Sequence, residues 1–275
     1  MRGKLFIIVG LIIAIPLLLA LTLKIFSSGN EPYYWSLFIF ILIGFAAQII
    51  DGAIGMAYGV FSNSFLLSVG VPPALASASI HTAEIFTTLA SGVSHLKLGN
   101  VDRQIFRDLV ITGMTGGCVG AYILSSMQTD FMRTLVNIYL LLMGIVIFIK
   151  AIKFTTLGNP SFKGVKLLGG IGGFLDAIGG GGWGPIVTSA LIVRNCNPRL
   201  VIGSVNLAEF FVTIVESAAF FIILGIIDLK LIIGLTLGGL IASPISAYIC
   251  KKAPIRALMM SVGILLVILA LRNLK

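Results

Sequence analysis

Four of the acidic residues that lie within long apolar stretches of the sequence have side chains that could carry protons or ions. They are Asp51, Glu84, Asp176 and Glu209. A charged group at the centre of a membrane helix costs about 2.5–3.5 kcal/mol on insertion scales, so such an acid is expected to face a cavity or to hold a proton. We therefore predict that these four side chains bind protons or ions.

Polar residues accompany both glutamates at helical spacing. The first set is Ser77, His81, Glu84, Thr88 and His95, and the second is Asn206, Glu209, Thr213 and Glu216. Spacings of three, four and seven residues place side chains on one face of a helix. Each face predicts either the wall of a polar cavity or a seam whose interhelical hydrogen bonds hold helices together. His81 and Asn206 are candidate substrate-binding residues.

Glycines interrupt two of the apolar stretches, at residues 51–59 and 176–184. A glycine inside a helix costs roughly 1 kcal/mol relative to alanine, and residues 179–182 are four consecutive glycines, so a helix is expected to break in each stretch. Pro185 then suits the first turn of a new helix, where its missing N–H is no loss. The alternative is that these glycines only let helices pack closely.

A helix that begins beside a glycine-rich break presents free N–H groups, which form a site for an anion. The predicted substrate-binding residues at the breaks are Gly55, Tyr58, Gly59, Ser62 and Asn63, and Gly180, Gly182, Trp183, Gly184 and Thr188. Asp51 and Asp176 precede the breaks, where the helix dipole disfavours a carboxylate. Two explanations stay open: each aspartate accepts hydrogen bonds from N–H groups across its break, or each carries a proton.

The composition indicates which solvent these elements face. Of the 275 residues, 58% are hydrophobic and 11% are charged, against roughly 25% charged residues in an average soluble protein. So few charges cannot cover so large an apolar core in water, and the helices are expected in a lipid bilayer. The net charge of +9 is then explained by basic cytoplasmic loops, not by a nucleic-acid partner.

The chain repeats itself at an offset of 125 residues, which aligns both breaks and both glutamates. With one inserted residue, Asp102 also meets Asp228. Each repeat contains one broken segment and three continuous ones. Because three membrane crossings are an odd number, the second repeat is expected to be inverted relative to the first.

We predict an all-α integral membrane protein with seven spanning helices. One extra helix occupies residues 1–30, repeat 1 covers 36–154 with a re-entrant hairpin at 36–69, and repeat 2 covers 165–275 with a hairpin at 165–193. With a cytoplasmic N-terminus, re-entrant hairpins put 14 Lys and Arg residues inside and 5 outside, whereas spanning breaks give 8 and 11. The positive-inside rule favours the hairpins, which leave the C-terminus outside.

Other chemistry has little support. His81 and Glu84 have the i, i+3 spacing of a helical metal-ligand pair, but Asn206 replaces the histidine in the second repeat and no further His or Cys lies in register. No metal site is predicted. The sequence contains no GxxxxGK[ST], GxSxG or HExxH motif, so we expect neither a cofactor nor an enzymatic activity.

The residues at the second break carry a family resemblance. The run Gly-Gly-Gly-Gly-Trp-Gly-Pro at 179–185, followed by Asn197-Pro198, resembles the TauE/SafE family of sulfite exporters, also called toluene sulfonate uptake permeases. The resemblance covers nearly all of the chain after about residue 36. It implies an inner-membrane carrier for anions such as sulfite or sulfonates. The first repeat departs from the family pattern, because residues 52–59 hold fewer glycines.

Together these features predict a secondary transporter that moves a small anion by alternating access around the two breaks. Its partners would be that anion and the lipid bilayer, with co-transport of H⁺ or Na⁺ left open, and a homo-oligomer is compatible with the sequence. Two alternatives stay open. The acids could bind a cation or metal that is itself carried, or the chain could be a membrane sensor or assembly component.

Overall fold

The computed structural model describes residues 34–54, 56, 58–97, 99–152, 163–194, 196–225, 228–250 and 255–274. The predicted first helix, residues 1–30, and the candidate residue Gly55 lie outside the described residues. Within the described ranges the chain forms ten α-helices and one short π-helix, and no strand. The prediction of an all-α chain is confirmed for this part of the sequence.

The α-helices are numbered here in chain order. They are α1 (Tyr34–Ile54), α2 (Tyr58–Ser68), α3 (Pro73–Lys97), α4 (Arg103–Ser126), α5 (Thr129–Ile152), α6 (Val165–Gly179), α7 (Ser189–Val193), α8 (Pro198–Leu224), α9 (Leu229–Cys250) and α10 (Ile255–Asn273). The π-helix, Gly184–Thr188, leads directly into α7.

Three of the described helices are long and apolar enough to cross a membrane: α4, α5 and residues Leu200–Leu224 of α8. Their outer faces carry large apolar side chains. Ile111 on α4 is 64% exposed, and Ile222 on α8 is 80% exposed. Apolar surface on this scale is suited to lipid and not to water.

Matched aspartates begin a helix in each repeat. Asp102 accepts hydrogen bonds from the N–H groups of Gln104 (2.8 Å) and Ile105 (3.1 Å) at the start of α4. Its counterpart Asp228 accepts from Lys230 and Leu231 at the start of α9, at 3.0 and 3.1 Å. A side-chain oxygen at this position satisfies N–H groups that have no partner within the helix. Both acids therefore position helices.

The chain leaves helical geometry at both predicted breaks, although later than residue 51 in the first. Helix α1 runs three residues past Asp51 to Ile54, and α6 runs three residues past Asp176 to Gly179. Helix α1 has 21 residues and is about 32 Å long. A helix that began at residue 36 and ended before Asp51 would have 15 residues. Gly52, directly after Asp51, does not end the helix, because its cost of about 1 kcal/mol is met by the surrounding packing.

The second break requires glycine. Gly180 has φ of 62° and Gly181 has φ of 134°, values that other residues rarely adopt. Pro185 then lies in the first turn of the π-helix, as predicted. Short π-helical turns are frequent at functional sites.

Helices of one half of the chain pack on helices of the other half. The principal contacts pair α1 with α9, α4 with α6, α3 with α8, and α5 with α10. Helix α2 lies inside this arrangement, with its residues Tyr58 to Leu67 all buried. The two breaks therefore lie in the interior of the helical bundle.

Glycines outside the breaks allow the close approach of these helix pairs. A Cβ atom on Gly116 of α4 would overlap the carbonyl of Gly170 on α6, and one on Gly173 would overlap that of Gly113. Helix α1 approaches α9 in the same way, through Gly44. Glycine therefore has two roles in this chain: it allows close packing of these helix pairs, and it forms the breaks.

Candidate functional site

Both breaks open onto one small polar cavity. It is lined by Asp51, Tyr58, Gly59, Val60, Glu84, Thr87, Thr88, Asp176, Gly181, Gly182, Gly184, Pro185 and Glu209. Its volume is about 20 Å³, which accommodates a water molecule but not a polyatomic anion. The four acids singled out in the sequence therefore surround one space, which is closed in this conformation.

The two breaks touch each other above this cavity. A methyl group on Gly59 would overlap the backbone of Gly181, and one on Gly181 would overlap Gly59. Asn63 of α2 donates a hydrogen bond to the carbonyl of Gly179, and Ser77 of α3 donates to that of Ala177 at 2.5 Å. These side chains satisfy carbonyls at the end of α6 that have no partner within the helix.

Asp176 spans the second break. Its Oδ1 accepts hydrogen bonds from the N–H groups of Gly182 (2.5 Å) and Trp183 (2.8 Å), while its backbone carbonyl accepts from the N–H of Gly181 (3.0 Å). The side chain is buried, with the residue 1% exposed. Of the two explanations for this aspartate, the structure shows the hydrogen bonds across the break. The N–H groups of Gly182 and Trp183, which were expected to bind an anion, are therefore bonded to Asp176 in this conformation.

Asp51 makes the corresponding contact at the first break, but more weakly. Among the described residues, its Oδ1 accepts a hydrogen bond from the N–H of Tyr58 at 3.3 Å, longer than the matched 2.8 Å contact of Trp183 with Asp176. Tyr58 and Trp183 each follow their aspartate by seven residues. Asp51 is half-buried and faces the cavity, so its carboxyl group has more freedom to bind a proton or an ion than that of Asp176.

The matched aromatic residues are anchored to neighbouring helices. The Tyr58 hydroxyl donates to the carbonyl of Leu235 on α9 at 3.1 Å, and the Trp183 indole N–H donates to that of Val205 on α8 at 3.2 Å. Trp183 is fully buried and fills space left by Gly113. Tyr58 contributes to the cavity wall, whereas Trp183 supports the break from behind.

A cluster of charged side chains lies beside the cavity. His81 Nδ1 is 3.0 Å from Glu84 Oε2 and 3.2 Å from Glu216 Oε2, and His81 Nε2 is 3.2 Å from the carbonyl oxygen of Asp176. His81 and Glu216 are completely buried. The His81 ring is nearly parallel to that of Phe220, with centroids 6.3 Å apart. This cluster joins α3, α6 and α8.

Asn206, the counterpart of His81, makes a different contact. Its Nδ2 donates to the Ser91 hydroxyl at 2.8 Å. Ser91 is itself the counterpart of Glu216, since both pairs differ by 125 residues. The crossing of α3 and α8 therefore carries a charged pair at one end and a neutral pair at the other.

The remaining predicted residues lie outside the cavity wall. The wall includes Asp51, Tyr58, Gly59, Glu84, Asp176, Gly182, Gly184 and Glu209, and does not include Ser62, Asn63, His81, Gly180, Trp183, Thr188 or Asn206. Ser62, Asn63 and Thr188 are buried in the packing of the breaks. These three residues therefore pack behind the cavity wall and do not face the cavity in this conformation.

Six residues in or beside the cavity wall are not among the predicted site residues: Val60, Thr87, Thr88, Gly181, Pro185 and Glu216. The Thr87 hydroxyl donates to the carbonyl of Glu84 at 3.3 Å and lines the cavity. The signal for Glu216 was present, because it lies seven residues after Glu209 on the same polar face. Its neighbour in space, His81, belongs to the other repeat, which spacing along one helix does not reveal.

Comparisons with known proteins identify relatives of this chain. The family described as sulfite exporter TauE/SafE matches residues 40–273. Over 228 residues the chain is 44% identical to "Probable membrane transporter protein YtnM" of Bacillus subtilis (strain 168), a match that covers 78% of this chain and 75% of that protein. Comparison with solved structures gives no match.

Proposed function

The chain belongs to the sulfite exporter TauE/SafE family, and from that premise we propose that it carries a small sulfur-containing anion, such as sulfite or an organosulfonate, across the cell membrane. Family membership makes it a membrane transporter. The convergence of both helix breaks on one acid-lined cavity is the observation that supports the mechanism. Broken helices near the middle of the membrane are a common substrate site in secondary transporters.

Alternating access requires the cavity to open by separation of the two breaks. Gly59 and Gly181 touch directly, so a small rotation of one repeat against the other would part them. The N–H of Tyr58, which is held by Asp51 at the longer distance of 3.3 Å, would then turn from Asp51 to the anion. Tyr58 and the hydroxyl groups of Thr87 and Thr88 would complete the polar wall.

The four carboxyl groups around the cavity imply coupling to protons. An anion beside several ionised carboxylates is repelled, and the repulsion is strong where water is excluded. Protonation of Glu84 and Glu209 removes that charge, so anion and proton binding favour each other. We therefore propose that Asp51, Glu84 and Glu209 provide the proton sites, and that Asp176, which is restrained by its bonds across the break, binds a proton or an ion.

The topology proposed with this function is a pair of inverted repeats, 36–154 and 165–275, after an extra helix at 1–30. Packing supports the pairing of repeats: α1 on α9 corresponds to α6 on α4 when the offset is applied. At the first contact Gly44 lies against the backbone of Leu235, and at the second Gly169 lies against Leu109. Gly44 corresponds to Gly169 at the offset of 125, and Leu109 corresponds to Leu235 at the offset of 126.

The segments 36–69 and 165–193 are proposed as re-entrant hairpins, with the N-terminus cytoplasmic and the C-terminus outside. Helix α6 has 15 residues, about 22 Å, which falls short of a membrane core of roughly 30 Å. Helix α1 has 21 residues and is long enough to cross the core, so the hairpin at 36–69 is proposed from the repeat and not from length. The distribution of Lys and Arg supports this orientation, with 14 on the cytoplasmic side. A reporter fused to the C-terminus should be active outside the cell, and cytoplasmic activity would overturn the topology.

One observation favours a second candidate, a cation carrier. The cavity wall contains four acidic side chains and, among its described residues, no lysine or arginine. Ionised carboxylates would bind a cation directly without any requirement for protons. The two functions predict ligands of opposite charge at the same site, so binding experiments distinguish them.

The test is a ligand-stabilisation screen of the purified full-length protein in detergent. Sulfite, sulfate, thiosulfate and a small sulfonate are compared as sodium salts with sodium chloride at equal sodium concentration. We expect at least one sulfur anion to raise the melting temperature, and to do so more at acidic pH. Stabilisation that follows the cation and is indifferent to the anion would support the cation carrier instead.

A further inference from the structure

The environment of His81 requires a proton or a metal ion between one of its ring nitrogens and the neighbouring carboxyl groups. Nε2 lies 3.2 Å from the carbonyl oxygen of Asp176, which can only accept, so Nε2 carries the hydrogen. Nδ1 of the neutral ring then directs a lone pair toward two carboxylates, at 3.0 Å from Glu84 and 3.2 Å from Glu216. Lone pairs at these distances repel unless a proton or a metal ion lies between them.

Unpartnered oxygens surround the same position. Asp176 Oδ2 and both carboxylate oxygens of Glu216 are buried without a hydrogen-bond partner among the described residues. The two residues are 1% and 0% exposed. A buried charged oxygen that lacks a partner is strongly unfavourable. One proton on His81 bonds well to one carboxylate and leaves the others unsatisfied, whereas a divalent cation can contact all of them.

We propose that His81 Nδ1, Asp176 and Glu216 bind a divalent transition-metal ion, with Glu84 as the neighbouring carboxylate. One possible ligand atom from each of the three lies within 4.8 Å of the other two. Metal bonds of about 2.1 Å place the ligand atoms of a tetrahedral ion about 3.4 Å apart, so inward movements of about 1 Å close the site. The His81 Nε2–H bond to a carbonyl is the usual support of a histidine ligand.

The ligand set selects the class of metal. One imidazole nitrogen with carboxylate oxygens suits zinc, manganese or iron, whereas calcium takes six to eight oxygen ligands. On α3 alone, the i, i+3 pair of His81 and Glu84 provides too few ligands to bind a metal ion. The fold adds Asp176 from α6 and Glu216 from α8, and these residues are far apart in sequence, so no spacing motif reveals the site.

The symmetry-related position serves as an internal control. There Asn206 donates to Ser91 at 2.8 Å, a satisfied neutral contact that needs no ion. Replacement of His81 by Asn and of Glu216 by Ser therefore introduces residues that the chain already pairs at the other end of the same helix crossing. The ion would fix α3, α6 and α8 together on one side of the cavity only.

The test measures metal in the full-length protein in detergent. The protein is stripped with a chelator, dialysed against Zn²⁺ and analysed by elemental mass spectrometry, with Ca²⁺ in a parallel dialysis. We expect about one zinc ion per chain and no retained calcium. Saturating zinc should raise the melting temperature by roughly 5–10 °C.

The variants locate the ion. His81→Asn and Glu216→Ser should each lose the bound zinc and its thermal shift, whereas Ser91→Ala, at the symmetry-related contact, should retain both. Glu216→Gln, which keeps the side-chain volume, replaces Glu216→Ser if that protein aggregates. A wild-type chain with no zinc above the detergent blank, or variants that keep the zinc, would overturn the site. Anion stabilisation is measured on the same samples, so loss of the metal site leaves the transport proposal separately testable.

Discussion

The two helix breaks share one design but differ in how firmly each is held. At the second break, Asp176 accepts two N–H groups at 2.5 and 2.8 Å and is buried. At the first, the N–H of Tyr58, which matches that of Trp183, lies at the longer distance of 3.3 Å from Asp51, and Asp51 is half-buried beside the cavity. The difference indicates that the second break is the fixed wall of the site and that the first is the part better able to move.

The two breaks also differ in glycine content, again with the second break as the more tightly constrained one. Gly181 of the second break corresponds to Met56 of the first at the offset of 125. Gly181 has φ of 134° and touches Gly59, so a side chain is excluded there. The Met56 sulfur instead accepts a hydrogen bond from Ser189 at 3.7 Å. The full glycine run is therefore needed only where the backbone is tightly bent and closely approached.

The largest effect is expected for Gly181→Ala. The new methyl group meets both an unfavourable φ and the Gly59 backbone, and we expect a loss of about 3 kcal/mol or more in the free energy of unfolding. Gly70→Ala is the matched control, because Gly70 has φ of 91° but open space around it. It should cost about 1–2 kcal/mol. Equal losses in denaturant titrations would show that the breaks do not touch as described.

A smaller and graded effect is expected for the two aspartates. Asp176→Ala removes a buried acceptor of two backbone N–H groups and should cost about 3 kcal/mol. Asp51→Ala removes one longer hydrogen bond and should cost about 1 kcal/mol. Thermal or denaturant unfolding in the same detergent compares them. If Asp51→Ala proves as damaging as Asp176→Ala, the first break is as fixed as the second and the assignment of the mobile side fails.

Features set by local sequence were predictable. The breaks at 51–59 and 176–184 and the place of Pro185 follow from the conformational cost of glycine and proline, which depends on neighbours in the chain. In each break the helix ends three residues after its aspartate and within the predicted range, and the cost of Gly52 does not outweigh helix packing. The expectation that each of the four acids faces a cavity or holds a proton also followed, since charge is costly wherever lipid replaces water. Their grouping around one cavity depends on the packing of the helices.

Features set by helix crossing were not predictable from spacing. His81 and Glu216 meet across α3 and α8, as do Asn206 and Ser91, and each partner lies in the opposite repeat. Asn206 was expected at the substrate site but lies outside the cavity wall. Pairing of the two repeats brings these side chains together, and that pairing is a tertiary property.

Anion flux in proteoliposomes tests the central claim most directly. A small sulfonate is the chosen substrate because it stays ionised across the pH range, so any pH dependence belongs to the protein. We predict uptake that rises about fivefold or more from the alkaline to the acidic side of neutrality, and Glu84→Gln and Glu209→Gln variants that lose this dependence. Flux of cations without anions, or neutral variants with unchanged flux and pH dependence, would contradict the account.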